Sequence, residues 1–226
     1  MSSKNIFHLF FKRIAPIFKI WTGWYFSKPR KFSYKNINII VFPKVFFPQF
    51  TISTKLLIDF IENKPLSEKT LLELGCGTGL ISVYAAKKNA KVIASDINQE
   101  ALKNTLFNAE KNKVSIQVIE SDLFEKLGNF QFDYIIINPP YYPKNPKNIA
   151  ENAWFCGENF EYFERLFFQL KDLYYNSEVY MILSENCKIE KIKEISFRQN
   201  FKMDKVFEKK VNGENNFIFQ ILSVTV

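Results

Sequence analysis

From Thr70 onward, short apolar runs alternate with stretches in which apolar positions recur every three or four residues. A run of that kind reads as a buried strand, and the longer spacing reads as a helix packed on one side. Thr70–Leu74, Lys91–Ser95, Val114–Ile119, Phe132–Ile137 and Glu178–Leu183 are the expected strands. Leu80–Lys88, Asn98–Asn112, Phe160–Tyr175 and Lys188–Gln199 are the expected helices; in the second of these Ala101, Leu102, Thr105, Leu106 and Ala109 share a face. A polar, Pro/Asn-rich loop separates the fourth strand from the third helix and runs to about Ala153. Phe201–Lys210 and Asn216–Thr225, joined through Asn212-Gly213, read as a terminal antiparallel pair. Strands and helices in alternation predict an α/β fold: a mostly parallel sheet with helices on both faces.

The first part of the chain follows another pattern. Phe7, Phe10, Phe11, Ile14, Phe18, Trp21 and Tyr25 step by three and four, so residues 4–26 read as an amphipathic helix with Pro16 as a kink. Residues 27–35 form a basic break. Ile37–Phe42 and Val45–Phe47, divided by Pro43-Lys44, suggest a small hairpin. Ser53 or Thr54 would cap a helix running to about Asn63. The expected organisation is a basic, aromatic arm with a small hairpin over residues 1–44, followed by one domain over residues 45–226.

Composition sharpens that division. The chain has 226 residues, 47% of them apolar and 24% charged, which suits one packed domain and excludes global disorder. Its net charge of +8 is concentrated at one end. Residues 1–50 carry nine Lys and Arg and no acid, while the rest holds 22 basic against 23 acidic residues. Interleaved with aromatics, such an arm suits packing on its own domain, contact with RNA phosphates and bases, or contact with an anionic membrane surface through residues 4–26. No apolar run reaches the roughly 18 residues of a membrane span. Cys76, Cys156 and Cys187 lie far apart, which excludes a disulfide scaffold and suits a reducing cytosol. The single histidine, His8, lies in the arm, so the body is expected to hold no metal site and no Ser-His or Cys-His catalytic pair.

Candidate chemistry gathers at the carboxyl ends of the expected strands. Glu73-Leu74-Gly75-Cys76-Gly77-Thr78-Gly79 joins the first strand to its helix. Three alternating glycines permit positive φ and close approach of a ligand to the backbone. Neither a dinucleotide fingerprint nor a P-loop fits, because Leu80 and Ser82 stand where the required glycine would be and no Gly-Lys-Ser/Thr follows. The remaining G-x-G-x-G turn suits an amino-acid-bearing nucleoside. Asp96, 21 residues after Gly75, ends the second strand, where a carboxylate would accept from both hydroxyls of a ribose; a cap for the helix after Ile97 is the plainer alternative. Asp122 ends the third strand and would accept from the amine of adenine, with Leu123 or Phe124 over the base; a loop acid without a ligand is the plainer reading there. Cys76 reads as a small residue in a tight turn.

Asn138-Pro139-Pro140-Tyr141 closes the fourth strand. Two prolines fix φ twice and remove two donors, and the first presses Asn138 toward extended backbone. The loop therefore presents acceptors: the Asn138 side-chain oxygen and the Pro139 carbonyl. An –NH2 group could donate to both, and Tyr141 offers a flat face to a planar substrate.

In this order and spacing, these residues resemble a class I S-adenosylmethionine-dependent N-methyltransferase, and more narrowly the small methyltransferase domain superfamily. That group includes release-factor glutamine methyltransferases and the N-methyltransferases of ribosomal and transfer RNA. The resemblance covers about 45–226. It implies S-adenosylmethionine as cofactor, with Glu73, Gly75, Cys76, Gly77, Thr78 and Gly79 around the methionine part, Asp96 and Ile97 at the ribose, and Asp122 and Leu123 at the adenine. Asn138–Tyr141 would be the catalytic loop, with Asn138 also facing the cofactor. It implies a Rossmann-like seven-stranded sheet of order 3-2-1-4-5-7-6 with the last strand antiparallel. Val45–Pro48 with Thr51–Leu57 is similar to a segment placed over the cofactor, and Trp154–Glu158 to a loop bordering the substrate. The implied acceptor is RNA or a protein of the translation apparatus, in the cytoplasm. The short N-terminal part differs from the larger helical domain of the glutamine methyltransferases, which favours the exocyclic amine of an RNA base over a release-factor glutamine.

Overall fold

The computed structural model describes residues 27–48, 52–128, 130–173 and 177–224. The helix expected over 4–26, together with His8, lies outside them. Seven strands form one sheet: β3 (Thr70–Leu74), β4 (Lys91–Asp96), β5 (Gln117–Glu120), β6 (Tyr134–Ile137), β7 (Glu178–Ser184), β8 (Phe201–Val211) and β9 (Glu214–Ser223). Their spatial order is β5-β4-β3-β6-β7-β9-β8. This is the expected 3-2-1-4-5-7-6. Strands β5, β4, β3, β6 and β7 are parallel, and β9 runs antiparallel to both its neighbours.

Helices α1 (Ser53–Ile61), α2 (Leu80–Lys87) and α3 (Gln99–Lys111) contribute to one apolar core, which includes Leu57, Leu71, Ile81, Val83 and Ile136. Helices α4 (Glu161–Leu170) and α5 (Ile189–Arg198) cover the other face around Leu72, Ile135, Phe163, Phe167 and Ile195. The central strand β6 is buried along its whole length, because both faces are covered.

Several local expectations need correction. The hairpin is formed by β1 (Arg30–Tyr34) and β2 (Ile37–Val41), not by Ile37–Phe42 with Val45–Phe47. Lys35 and Asn36 make its turn with φ of 46° and 62°, the paired positive values of a two-residue hairpin turn. The stretch read as a basic break is thus half a ribbon, and its partner β2 buries Ile37, Ile39 and Val41 in the first core. Val45–Phe47 forms no strand: Pro43 and Pro48 interrupt the ladder on both sides, and the segment instead crosses the carboxyl edge of the sheet. Neither Ser53 nor Thr54 caps α1; Ile52 stands at that position without a side-chain bond. Helix α4 starts at Glu161 after Phe160, whose φ is 66°. The expected last residue of that helix, Tyr175, lies outside the described residues. Strand β5 starts only at Gln117.

Candidate active site

The carboxyl ends of β3, β4, β5 and β6 open into one cleft of about 530 Å3. Its floor is the glycine turn. Gly75 has φ +72° and nothing within 4 Å of the place a Cβ would take, so its backbone faces open space that a ligand can enter. Gly79, at φ +70°, meets a different constraint: an added Cβ would fall 2.6 Å from Thr105 of α3. Gly79 starts α2 and packs inward, whereas Gly75, Cys76, Gly77 and Thr78 line the cleft. The backbone amides of Gly75 and Cys76 donate to the Ser95 carbonyl at 2.8 and 2.9 Å, which ties the turn to β4.

Glu73 is 5% exposed and accepts from the Ser82 amide at 2.8 Å and from the Ser82 hydroxyl. Burial pushes its carboxyl up to about 8, against the pull of those two bonds. At neutral pH it is therefore largely protonated in the folded chain. Asp96 accepts from the Gly77 amide at 2.9 Å and the Asn98 amide at 2.8 Å. Burial raises its pKa, and the backbone bonds oppose that rise. The cap of α3 is Asn98, whose side chain accepts from the Glu100 amide, so Asp96 does not serve as the cap. Cys76 is buried with Thr105 Oγ1 donating to its Sγ at 3.3 Å, and burial keeps the thiol neutral. It is a packing residue.

On the β5 side, Asp122 and Leu123 reach the cleft from a turn, and Ile97 closes the wall beside them. Asp122 accepts from Arg165 Nη1 at 2.6 Å and Nη2 at 2.9 Å. On the β6 side stand Asn138, Pro139, Pro140 and Tyr141. Asn138 Nδ2 donates to Thr54 Oγ1 at 3.3 Å. An amide nitrogen occupied in that way leaves Oδ1 as the end free to accept elsewhere. Tyr141 lies beside Tyr142 with ring centroids 4.8 Å apart, and burial raises the Tyr141 hydroxyl far above the neutral range.

Two segments meet over the opening. Phe46, from the crossing after β2, sits 3.8 Å from where a Gly77 Cβ would be, and its ring lies 4.9 Å from that of Trp154. Trp154 follows a short 3-10 turn, Ile149–Ala153. Its carbonyl accepts from the Tyr142 amide, and the Cys156 amide donates to the Tyr142 carbonyl, so the long loop folds back on the Asn-Pro-Pro-Tyr segment. Thr54, Ser82 and Arg165 were not singled out by sequence reasoning as site residues, because each acts through a partner far along the chain. Among the described residues, no three His, Cys, Asp or Glu side chains are grouped so as to hold a metal ion, and no helix is long and apolar enough to cross a membrane.

The residues present fit a bulky nucleoside ligand. The room in front of Gly75 would be filled by any Cβ, and Ser95 Oγ is buried in the wall without a hydrogen-bond partner. A carboxylate placed for a ribose diol on one side, and amide-type acceptors for an –NH2 group on the other, would bring a nucleoside-borne methyl donor to a nitrogen. The class so defined is that of the S-adenosylmethionine-dependent N-methyltransferases.

Comparison with known proteins places the chain within that class. The methyltransferase small domain model matches residues 36–154, and the chain belongs to that family. It is 35% identical over 175 residues to a protein of Methanocaldococcus jannaschii named "putative protein N5-glutamine methyltransferase", covering 73% of this chain and 86% of that one. It is 34% identical over 158 residues to the release factor glutamine methyltransferase of Dictyoglomus turgidum, covering 62% of this chain but only 55% of the relative. Among solved structures, the E. cuniculi Mtq2–Trm112 complex, responsible for methylation of the termination factor eRF1, matches with TM-score 0.61, 21% identity, and coverage of 80% of this chain and 99% of that one. The T. thermophilus 16S rRNA methyltransferase in complex with AdoMet and guanosine matches with TM-score 0.59, 18% identity, and coverage of 86% and 51%. Those two likenesses concern the fold.

Proposed function

We propose that this enzyme transfers a methyl group from S-adenosylmethionine to the side-chain amide nitrogen of a glutamine in a protein of the translation apparatus. The observation that carries the reading is the fixed Asn138 carboxamide, held through its nitrogen by Thr54 in the cleft that also contains the glycine turn. The sequence alone favoured an RNA base, because the arm is too short to be the helical domain of the release-factor enzymes. The M. jannaschii relative weakens that argument, since this chain spans 86% of its length.

When bound, the cofactor supplies a methyl group on a sulfonium, which leaves as a neutral thioether. The protein's own tasks are then to bind, orient and exclude water. Glu73 and the glycine turn hold the methionine part, Asp96 with Ile97 the ribose, and Asp122 with Leu123 the adenine. Asn138 Oδ1 and the Pro139 carbonyl accept the two hydrogens of the target –NH2. Tyr141 lies against the planar amide and, as a neutral phenol, does not act as a base. Phe46, beside the glycine turn, and Trp154, in the loop that borders the acceptor, meet across the entrance. The target nitrogen has a delocalised lone pair, so holding both hydrogens in a set geometry favours the orientation in which that pair meets the methyl carbon. The buried, free cysteines are consistent with a cytoplasmic setting.

A second reading, the exocyclic amine of an RNA base, draws on the nine basic residues and no acids in residues 1–50. Incubation with isotopically labelled S-adenosylmethionine and, separately, total RNA and total protein of the source cell tests both. Label in protein that resolves to methylated glutamine supports the first. Label in RNA alone replaces it with the second. Label in neither overturns both.

A further inference from the structure

The Asp122–Arg165 pair has the geometry of a built device. Among the described residues, Asp122 is the only one on the β5 side that offers a carboxylate to the cleft, and it lies in a turn where Leu123 already adopts φ 53°. Arg165 belongs to α4, the helix launched from the loop that borders the acceptor opening. Its two terminal nitrogens take one Asp122 oxygen each, at 2.6 and 2.9 Å. A forked contact of this type fixes the plane of the carboxylate, which a single-point ammonium cannot do. Arg165 is also one of only four arginines among the 31 basic residues of the chain, in a composition that otherwise uses lysine.

A second contact shows that the fork is part of a larger attachment. Gln169, one helical turn after Arg165, accepts from the Phe124 amide at 2.8 Å. Residues four apart share a helix face, so one face of α4 grips the Asp122 turn by both its side chain and its backbone. One turn before Arg165, Tyr162 lines the same cleft, and its amide donates to the Cys156 carbonyl of the acceptor loop. Helix α4 therefore joins the acceptor loop to the turn at the adenine end.

We propose that Arg165 is a positioning residue for base selection: it orients the Asp122 carboxylate so that this group accepts from the exocyclic amine of the donor's adenine. With both oxygens engaged by the guanidinium, each keeps a lone pair in the common plane, and an amine arriving from the cleft meets an acceptor already aimed. Without the fork the carboxylate rotates and hydrates, and the preference for an amine over a carbonyl at that position fades. The inference rests on the reading that Asp122 faces adenine.

The test uses the intact protein and two chemically defined probes, S-adenosylhomocysteine and its 6-oxo analogue S-inosylhomocysteine, titrated by calorimetry. Wild type should bind the adenine form about tenfold or more tightly than the 6-oxo form, the scale of a charge-assisted hydrogen bond. Arg165→Met should reduce that ratio severalfold, and Arg165→Lys should fall between them because it keeps the charge and loses the fork. Thermal melts of both variants check that the fold persists. An unchanged ratio in Arg165→Met, with weaker or equal binding of both probes, would show an ordinary surface ion pair and overturn the proposal. Equal binding of the two probes by wild type would instead overturn the adenine role of Asp122, and with it the role of Arg165. Failure of wild type to bind either probe would remove the cofactor reading itself.

Discussion

Thr54 Oγ1 receives the Asn138 side-chain amide across 84 residues of sequence, joining the first turn of α1 to the end of β6. Thr54 is 6% exposed, so water does not compete well for that contact. In the proposed site, the bond selects which end of the carboxamide faces the methyl acceptor. Asn138→Ala should lower turnover at least ~100-fold, from a lost hydrogen bond and a misplaced nucleophile, with little change in cofactor affinity. Thr54→Val should lower turnover about tenfold by releasing the amide to flip, and Thr54→Ser should restore most of it. Steady-state kinetics on the methyl acceptor beside calorimetry with S-adenosylhomocysteine separates the two quantities. Parallel loss of both in Thr54→Val would make Thr54 a cofactor contact.

Asp96 should show the opposite profile. Its carboxylate is held by the Gly77 and Asn98 amides, which aim it and keep the ion tolerable in a buried place. Asp96→Ala releases the Gly77 amide and, in the proposed site, removes the acceptor for two ribose hydroxyls. Bonds to charged groups contribute about 1.5–3 kcal/mol each, so losing two of them should lower cofactor affinity by roughly two to four orders of magnitude. Turnover at saturating cofactor should fall much less. The measurement is the ratio of the dissociation constant to the maximal rate, and a loss confined to the rate would contradict a binding role.

What could be read from the sequence divides along physical lines. The parallel sheet with helices on both faces was legible, because strands such as Tyr134–Ile137 and helices such as Gln99–Lys111 bury side chains at spacings that only those elements produce, whereas the strand order came from the family resemblance alone. The glycine turn, Asp96 and Asn138–Tyr141 stood out because the chemistry proposed for them restricts the residue types, and the fold brings them to one cleft. The β1–β2 ribbon was missed because Arg30–Tyr34 opens on two adjacent basic residues, and that charge masked the alternation of half-buried Arg30, Phe32 and Tyr34 with exposed Lys31 and Ser33. Arg165 and Thr54 were not legible as site residues, since nothing local in an amphipathic helix reveals a partner 43 or 84 residues away.

Glu73 makes stability depend on pH in a direction unusual for an acid. Its carboxyl titrates near 8 in the folded chain, against 4.5 as the ordinary value. Between those values the folded state binds more protons than the unfolded one, so stability falls as pH rises through the window. Wild type should therefore lose several degrees of melting temperature from pH 5 to pH 8. Glu73→Gln, which keeps the shape and an acceptor for Ser82, should flatten that slope. The check is thermal melting of both proteins at matched ionic strength; identical slopes would show that Glu73 is ionised throughout.

Asn104 and Asn108, both fully buried on α3, link the N-terminal ribbon to the glycine turn. Asn104 accepts from the Phe42 amide and donates to the Ile40 carbonyl. Asn108 accepts from the Ile40 amide at 2.8 Å and donates at 2.9 Å to the carbonyls of Ile40 and Thr78. The two amides serve the outer edge of β2, which pairs with no further strand among the described residues, and so stand in for a ladder there. Asn108→Leu keeps the volume but strands the buried Thr78 carbonyl and the Ile40 amide, while the Ile40 carbonyl keeps Asn104, at a cost of about 1–3 kcal/mol for each group stranded. Because one of these groups sits in the glycine turn, the variant should lose both melting temperature and affinity for S-adenosylhomocysteine. An exposed control on the same helix, Lys103→Ala, should change neither by a measurable amount, since its pair with Glu100 is a surface contact. Normal cofactor affinity in a destabilised Asn108→Leu would confine the contact to holding the ribbon and detach it from the turn.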